Sequence, residues 1–302
     1  VHDILFITPG PVEQWASSRL RCTWVAKYIE NSYVIDGTQI HNTGIPKSKV
    51  YVWEKIGNPE TMRLQREAGA LVFWDLCDPV WWFSTNDCRE IVNNVSGVVL
   101  SNHDLRADFD QWILDNNISV MTECIPDRLL LQHYNKQKIH TLQHTTPVRF
   151  IWYGSAQNRV ALFGAVAPLE RLVADGFDIQ LTIMDDRPDV RWDFTDKLPV
   201  YYTGWSLQHE VDIISSHDIA LLPSYPGPWG AVKSNNKRLT AWACGLPATD
   251  GADYKYMFRL VDDPKERMLE ARHGLTILQN EFDVKKSAIE WSEFIDACRN
   301  NS

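Results

Sequence analysis

The stretch AVKSNNKRLTAWACGLPAT, Ala231 to Thr249, sets Lys233, Ser234, Asn235 and Asn236 in front of an apolar face of Leu239, Trp242 and Ala243. Gly245-Leu246-Pro247 closes it. A helix start carries free backbone N–H groups and the positive end of the helix dipole, and both favour an anion. Lys233 adds a full charge, and Asn235 or Asn236 can donate amide N–H bonds or cap the helix. A phosphate or diphosphate is the guest this pattern suits. A capped surface helix with an incidental lysine is the alternative that spacing leaves open.

Other groups could carry chemistry. Asp75 and Asp78 stand at a predicted strand end beside Trp81 and Trp82, where either could contact a hydroxyl or act as a base. His103, in SNHDLR, opens a predicted helix at another strand end, as a proton-transfer group or as a surface histidine. Asp185-Asp186 follow a strand, and a carboxylate pair in such a turn is usually solvent-facing. Asp193 and Asp196 have the wrong spacing for an Asp-x-Asp metal motif. P-loop, nicotinamide fingerprint and Gly-x-Ser-x-Gly elbow are all missing, so no metal and no cofactor is expected.

These residues need a scaffold, and the chain alternates short apolar runs with helical segments. DILFITPG reads as a buried strand and SSRLRCTWVAKYIEN as a helix opened by Ser17 or Ser18. Strands YVID, KVYVW, ALVFWDL, VSGVVLS and ISVMTECIP follow, with helices in PETMRLQREAG and HDLRADFDQWILDNN. The pattern dissolves in NKQKIHTLQHTTPV and then restarts. RFIWYG, DIQLTIMDD, VYYTG and DIALLPS read as strands, with helices in VALFGAVAPLERLVADG, ending at Gly176, and in LQHEVDIISSH. A helix after Asp263-Pro264 and an amphipathic one through KKSAIEWSEFIDACR close the chain. The expected fold is α/β, with two Rossmann-like doubly wound domains facing across a cleft. Domains are expected at 1–140 and 148–275, with 276–302 a terminal helix packing back toward the first.

Composition narrows the function classes. With 302 residues, 44% hydrophobic and 23% charged, the chain suits a two-domain globular protein. A net charge of −9 gives no overall pull toward polyanions. Thirteen tryptophans suit sugars and bases as well as cores. Cys22, Cys77, Cys88, Cys124, Cys244 and Cys298 show no CxxC pair and no zinc spacing, as in a reducing compartment, so a cytoplasmic location is expected. No apolar run is long enough for a membrane span, and no signal-peptide pattern opens the sequence.

KSNNKRLTAWACGLPAT resembles the nucleotide-sugar motif of the group 1 glycosyltransferases, the retaining GT-B family. SSRLRC resembles that family's first helix, and VFWDLCDPVWW its Asp-rich strand end. WYGSAQN resembles its phosphate loop, and YTGW…DIALLPS its base-binding edge. The resemblance implies that Lys233 and Asn236, with Ser234 and Asn235 beside them, hold a donor diphosphate, helped by the Gly154-Ser155 backbone. It implies that Thr203, Gly204 and Trp205 border the base, and that Gly10, Arg19 and Arg21 lie across the cleft near the diphosphate or acceptor. The family's two glutamates are replaced by Thr240 and Val232, and its Asp-Asp pair by Cys77-Asp78.

The expected activity is transfer of a sugar from a nucleotide-diphosphate sugar to a hydroxyl acceptor, without a metal and with retention. Glycans or lipid-linked glycans are the expected acceptors, with hydroxylated bases of viral-type DNA as the alternative. The missing glutamates leave a third reading open, a noncatalytic nucleotide-sugar-binding subunit.

Overall fold

A computed structural model describes residues 2–40 and 44–301. The chain forms two compact units. Unit 1 comprises Val1–Leu130, Ala231–Ser234 and Phe282–Ser302, and unit 2 comprises Leu131–Gly230 and Asn235–Glu281.

Unit 1 is built on β1 (His2–Thr8), β2 (Ser32–Asp36), β3 (Ser48–Glu54), β4 (Leu71–Leu76), β5 (Gly97–Leu100) and β6 (Met121–Cys124), in the order β2-β1-β3-β4-β5-β6. Every pairing is parallel. Such a sheet is covered on both faces, which is why its strands read as continuous apolar runs. Alternate residues sort the two faces. Leu5, Ile7, Trp53, Val72 and Trp74 pack into one buried cluster with Trp81, Leu105 and Phe109. On the other face Phe6 and Phe73 meet Trp291 of the helix Val284–Asn300 edge-on, with ring centroids 6.0 and 5.9 Å apart. Gly97 leaves room for that helix, since a Cβ there would lie 2.8 Å from the Phe294 ring.

Unit 2 carries β7 (Val148–Tyr153), β8 (Ile179–Asp185), β9 (Val200–Gly204), β10 (Ile219–Leu221) and β11 (Ala248–Thr249), ordered β11-β10-β7-β8-β9 and again all parallel. Phe150, Trp152, Ile183 and Leu221 form its core with Leu169 and Leu172 from the helix Phe163–Ala174. Gly176 turns the chain out of that helix at φ 94°, a conformation glycine adopts without strain.

Each sheet reverses its winding once, between β1 and β3 in unit 1 and between β7 and β10 in unit 2. Open α/β sheets bind ligands beyond the carboxyl ends of the strands at such a reversal. Two rearrangements of the sequence reading bear on function. SSRLRCTWVAKYIEN is π-helical over Ser18–Thr23 and α-helical only over Trp24–Ala26. The helix of the opening stretch spans Asn236–Ala243 and so begins after Lys233 and Ser234. Among the described residues no helix is long and apolar enough to cross a membrane.

Candidate functional site

At the winding reversal of unit 2, β7 ends at Tyr153 and the chain turns through Gly154 and Ser155 into a 3-10 helix, Ala156–Leu162. Facing this turn is the start of the helix Asn236–Ala243. The Tyr153 hydroxyl donates to the Lys237 carbonyl at 2.5 Å and ties helix to strand. The Lys237 ammonium lies over the Trp152 ring, 4.9 Å from its centroid. It comes so close to Gly154 that a Cβ there would stand 2.7 Å from Nζ. Glycine suits the backbone conformation here (φ 157°), and it leaves the space that the end of the flexible Lys237 chain occupies. A lysine, a glycine turn and a helix N-terminus thus converge at one strand end, the chemistry of an anion site.

Neighbouring groups fix this turn. The Asp186 carboxylate accepts from the Ala156 N–H at 2.7 Å. Asp185 is fully buried and takes two hydrogen bonds from Arg159, at 2.5 and 2.7 Å. Thr203 and Gly204 end β9, and the Trp205 N–H donates to the Asp185 carbonyl at 2.8 Å. The Trp205 indole N–H donates to Glu210 at 2.7 Å, and Glu210 also meets His133 Nε2 at 3.0 Å. Trp205 is thereby held by both backbone and ring. Thr240 is half-buried, with its hydroxyl 3.3 Å from that of Tyr134.

Lys233 and Ser234 are placed differently from expectation. Val232 is buried in the unit 1 cluster and its carbonyl accepts from the Asn102 side chain at 2.9 Å. Lys233 forms an ion pair with Asp78. The Ser234 hydroxyl donates to Asp127 at 2.6 Å. These anchors hold Ala231–Ser234 on unit 1, so the helix starts two residues later and Lys237 takes the place at its N-terminus that the sequence suggested for Lys233. Asn235 flanks the helix without a side-chain cap, and Asn236 is its first residue.

On unit 1 a charged cluster sits at the ends of β1, β3 and β4. Arg21 grips Asp75 through Nε (2.8 and 2.9 Å) and Nη2 (2.5 Å), and its Nη1 donates to Asp127 and the Ile125 carbonyl. Arg21 and Asp75 are 3% and 0% exposed. Burial opposes the charge on Arg21, but Asp75 and Asp127 hold its proton more tightly than usual. Arg19 is buried too, donating to the Glu13 carbonyl at 2.9 Å. Arg19, Arg21 and Asp75, expected near the diphosphate or acceptor, are buried and paired in this structure, and the π-helical turn aims both arginines inward. Gly10 is buried against Trp15, and its carbonyl accepts from the Thr8 hydroxyl at 2.7 Å.

Asp78 is the carboxylate left near solvent. Burial pushes its acidity down, yet Lys55 (2.7 Å) and Lys233 hold its pKa below the ordinary value. Its neighbour Glu54 has no exposure, and burial pushes its carboxyl up to about 7 against the pull of Lys55. Burial also opposes charge on Lys55, but Cys77, Asp78 and Glu54 keep its pKa raised. His103 is exposed on the first turn of the helix His103–Asp115, while Asn102 does the capping by accepting from the Leu105 N–H at 2.8 Å.

Sequence reasoning missed Lys237, Asn102, Lys55 and Glu54. Lys237 was the most findable, being a cation one step inside a helix start. The others depend on which strand ends become neighbours.

No protein-family model matches this chain, and no curated protein matches its sequence. Solved structures do match it. The chain is similar to HepE of Anabaena, solved with UDP and glucose, at 12% identity and a TM-score of 0.66, covering 98% of this chain and 100% of that one. It is similar to a glycosyltransferase of Rickettsia africae ESF-5, at 12% identity and a TM-score of 0.62, covering 100% and 99%. Trehalose-6-phosphate synthase OtsA matches at 12% identity and a TM-score of 0.58, covering 87% and 74%. The fold is that of the GT-B glycosyltransferases, two Rossmann-like α/β domains.

Proposed function

We propose that this chain transfers a sugar from a nucleotide-diphosphate sugar to a hydroxyl acceptor. The observation that carries the reading is the Lys237 ammonium held against the Gly154 turn at the switch point of unit 2. That HepE was solved with UDP and glucose supports the same ligand class. In this reading the diphosphate lies on the backbone N–H groups of Gly154 and Ser155 and on the start of the helix at Asn235 and Asn236. Trp205, with Thr203 and Gly204, borders the base. Negative charge grows on the diphosphate as the glycosidic bond breaks, and a fixed cation at that point lowers the barrier without reorganisation. The leaving phosphate oxygen takes the acceptor proton, which gives retention without a dedicated base and without a metal.

Asp78, bracketed by Lys55 and Lys233, and the exposed His103 are the groups of unit 1 we assign to the acceptor hydroxyl. Lys233 acts there through Asp78. Glycan or lipid-linked glycan acceptors are preferred over DNA, because the net charge of −9 opposes a polyanion. Cytoplasmic work suits six buried free thiols.

A second reading rests on a specific observation. Val232 stands where the family carries an acidic residue and is buried in unit 1, and Thr240 replaces the other glutamate. A noncatalytic donor-binding subunit would show this. One experiment separates the readings: a thermal-shift screen of nucleotide sugars followed by donor turnover with and without acceptor. A ligand at a hundred times its Kd stabilises the fold by about 2.7 kcal/mol. Lys237→Ala is expected to cut turnover about 100-fold. Stabilisation without any turnover supports the subunit, and no stabilisation by any nucleotide sugar overturns both readings.

A further inference from the structure

The helix Asn236–Ala243 shows a second side. Lys237 and Ala241, four residues apart, face β7, while Arg238 and Trp242, also four apart, face the helix Pro264–Glu281. Between these helices, within unit 2, is a cavity of about 270 Å³ lined by Arg238, Trp242, Asp250, Tyr256, Glu270 and His273. The Tyr256 hydroxyl donates to Glu270 at 3.0 Å, which fixes one wall. Asp250 accepts from the Ala252 N–H at 2.9 Å through one oxygen. The side chains of Arg238 and His273 form no hydrogen bond or ion pair among the described residues. Gly274 keeps the wall open beside Trp242, because a Cβ there would overlap the indole.

We infer that this cavity is a saccharide-binding site, distinct from the anion site around Lys237. Its chemistry is mixed in a way that suits a neutral polyol. Arg238 and His273 are donors, Asp250 and Glu270 are acceptors, and the side chains of Trp242 and Tyr256 add aromatic surface to the lining. Two carboxylates against one guanidinium disfavour a phosphate or a free carboxylate as the occupant. The volume fits about one hexose ring, and the opposed hydrogen-bonding groups would read its hydroxyls. The inference does not depend on glycosyl transfer, because the cavity shares no lining residue with the Gly154–Lys237 site.

Saturation-transfer NMR on the full chain tests it, with glucose, galactose, N-acetylglucosamine and maltose as probes and UDP present in excess. At least one sugar should bind with millimolar affinity while UDP is present. Arg238→Ala and Glu270→Gln should each weaken that sugar at least about tenfold, the loss of one hydrogen bond to a charged group. Arg238 is exposed, so its variant should keep the wild-type melting curve, and a retained melt with lost binding supports the site. The inference is overturned if none of the four sugars binds, if both variants bind them unchanged, or if inorganic phosphate displaces the sugar. Displacement of the sugar by UDP itself would also overturn it, by placing the sugar in the donor site.

Discussion

Glu54 offers the sharpest quantitative test of the charged cluster in unit 1. Its carboxyl is buried beside Asp75 and held at about 7, against 4.5 in an unfolded chain. The folded value is the higher one. The stabilisation of the protonated form is therefore fully present below pH 4.5 and is lost as pH rises through 7. For those two values the loss between pH 5 and pH 8.5 is about 2.5 kcal/mol. Glu54→Gln keeps the shape and has no proton to release, so it should not suffer that loss. Urea unfolding of both proteins at pH 5 and pH 8.5, at fixed ionic strength, gives the double difference. Titrations elsewhere, such as those of His140 and His217, cancel in it because both proteins share them. Stability of the wild type relative to Glu54→Gln should fall by about 2.5 kcal/mol at the higher pH. Curves that stay parallel within about 0.5 kcal/mol would show that Lys55 fully compensates the buried charge, and the account of the cluster would be wrong.

Gly154→Ala would bring a methyl group 2.7 Å from the Lys237 ammonium in a backbone region that side chains rarely adopt, and so should cost about 1–3 kcal/mol in stability. UDP affinity should drop at least about tenfold in calorimetry if the displaced ammonium binds the diphosphate, and unchanged affinity would remove Lys237 from the site. Thr240→Ala removes a single neutral hydroxyl contact with Tyr134, worth about 1 kcal/mol, so the donor Michaelis constant should rise only a few-fold. A thousandfold fall in turnover would reveal a role beyond that contact. Donor turnover should persist in excess EDTA; complete loss, restored by manganese or magnesium, would show that a metal does the work assigned to Lys237.

Much of the architecture was legible from local pattern. Runs such as ILFI, VYVW and VVL are apolar on both faces, which only a doubly covered parallel sheet requires, and their alternation with helices gives the α/β class. The Gly154 turn and the Gly245 helix end could be read from the types of residue that such backbone needs. The two-residue β11 is too short to carry a pattern, whereas the helices Thr85–Val92 and Tyr254–Asp262 are amphipathic and only about two turns long, so their apolar faces rest on three buried residues each. The assignment of charges was decided elsewhere. Arg21 and Asp75 are far apart in sequence, and only the winding of β1, β3 and β4 makes them a buried pair. Lys233 and Lys237 are equally plausible phosphate ligands on paper. Burial of Val232 in unit 1 fixes where the helix starts, which gives one lysine to Asp78 and the other to the Gly154 turn. Sequence records which residues can do the chemistry, but a charge is committed by its nearest partner, and distance in space is set by packing.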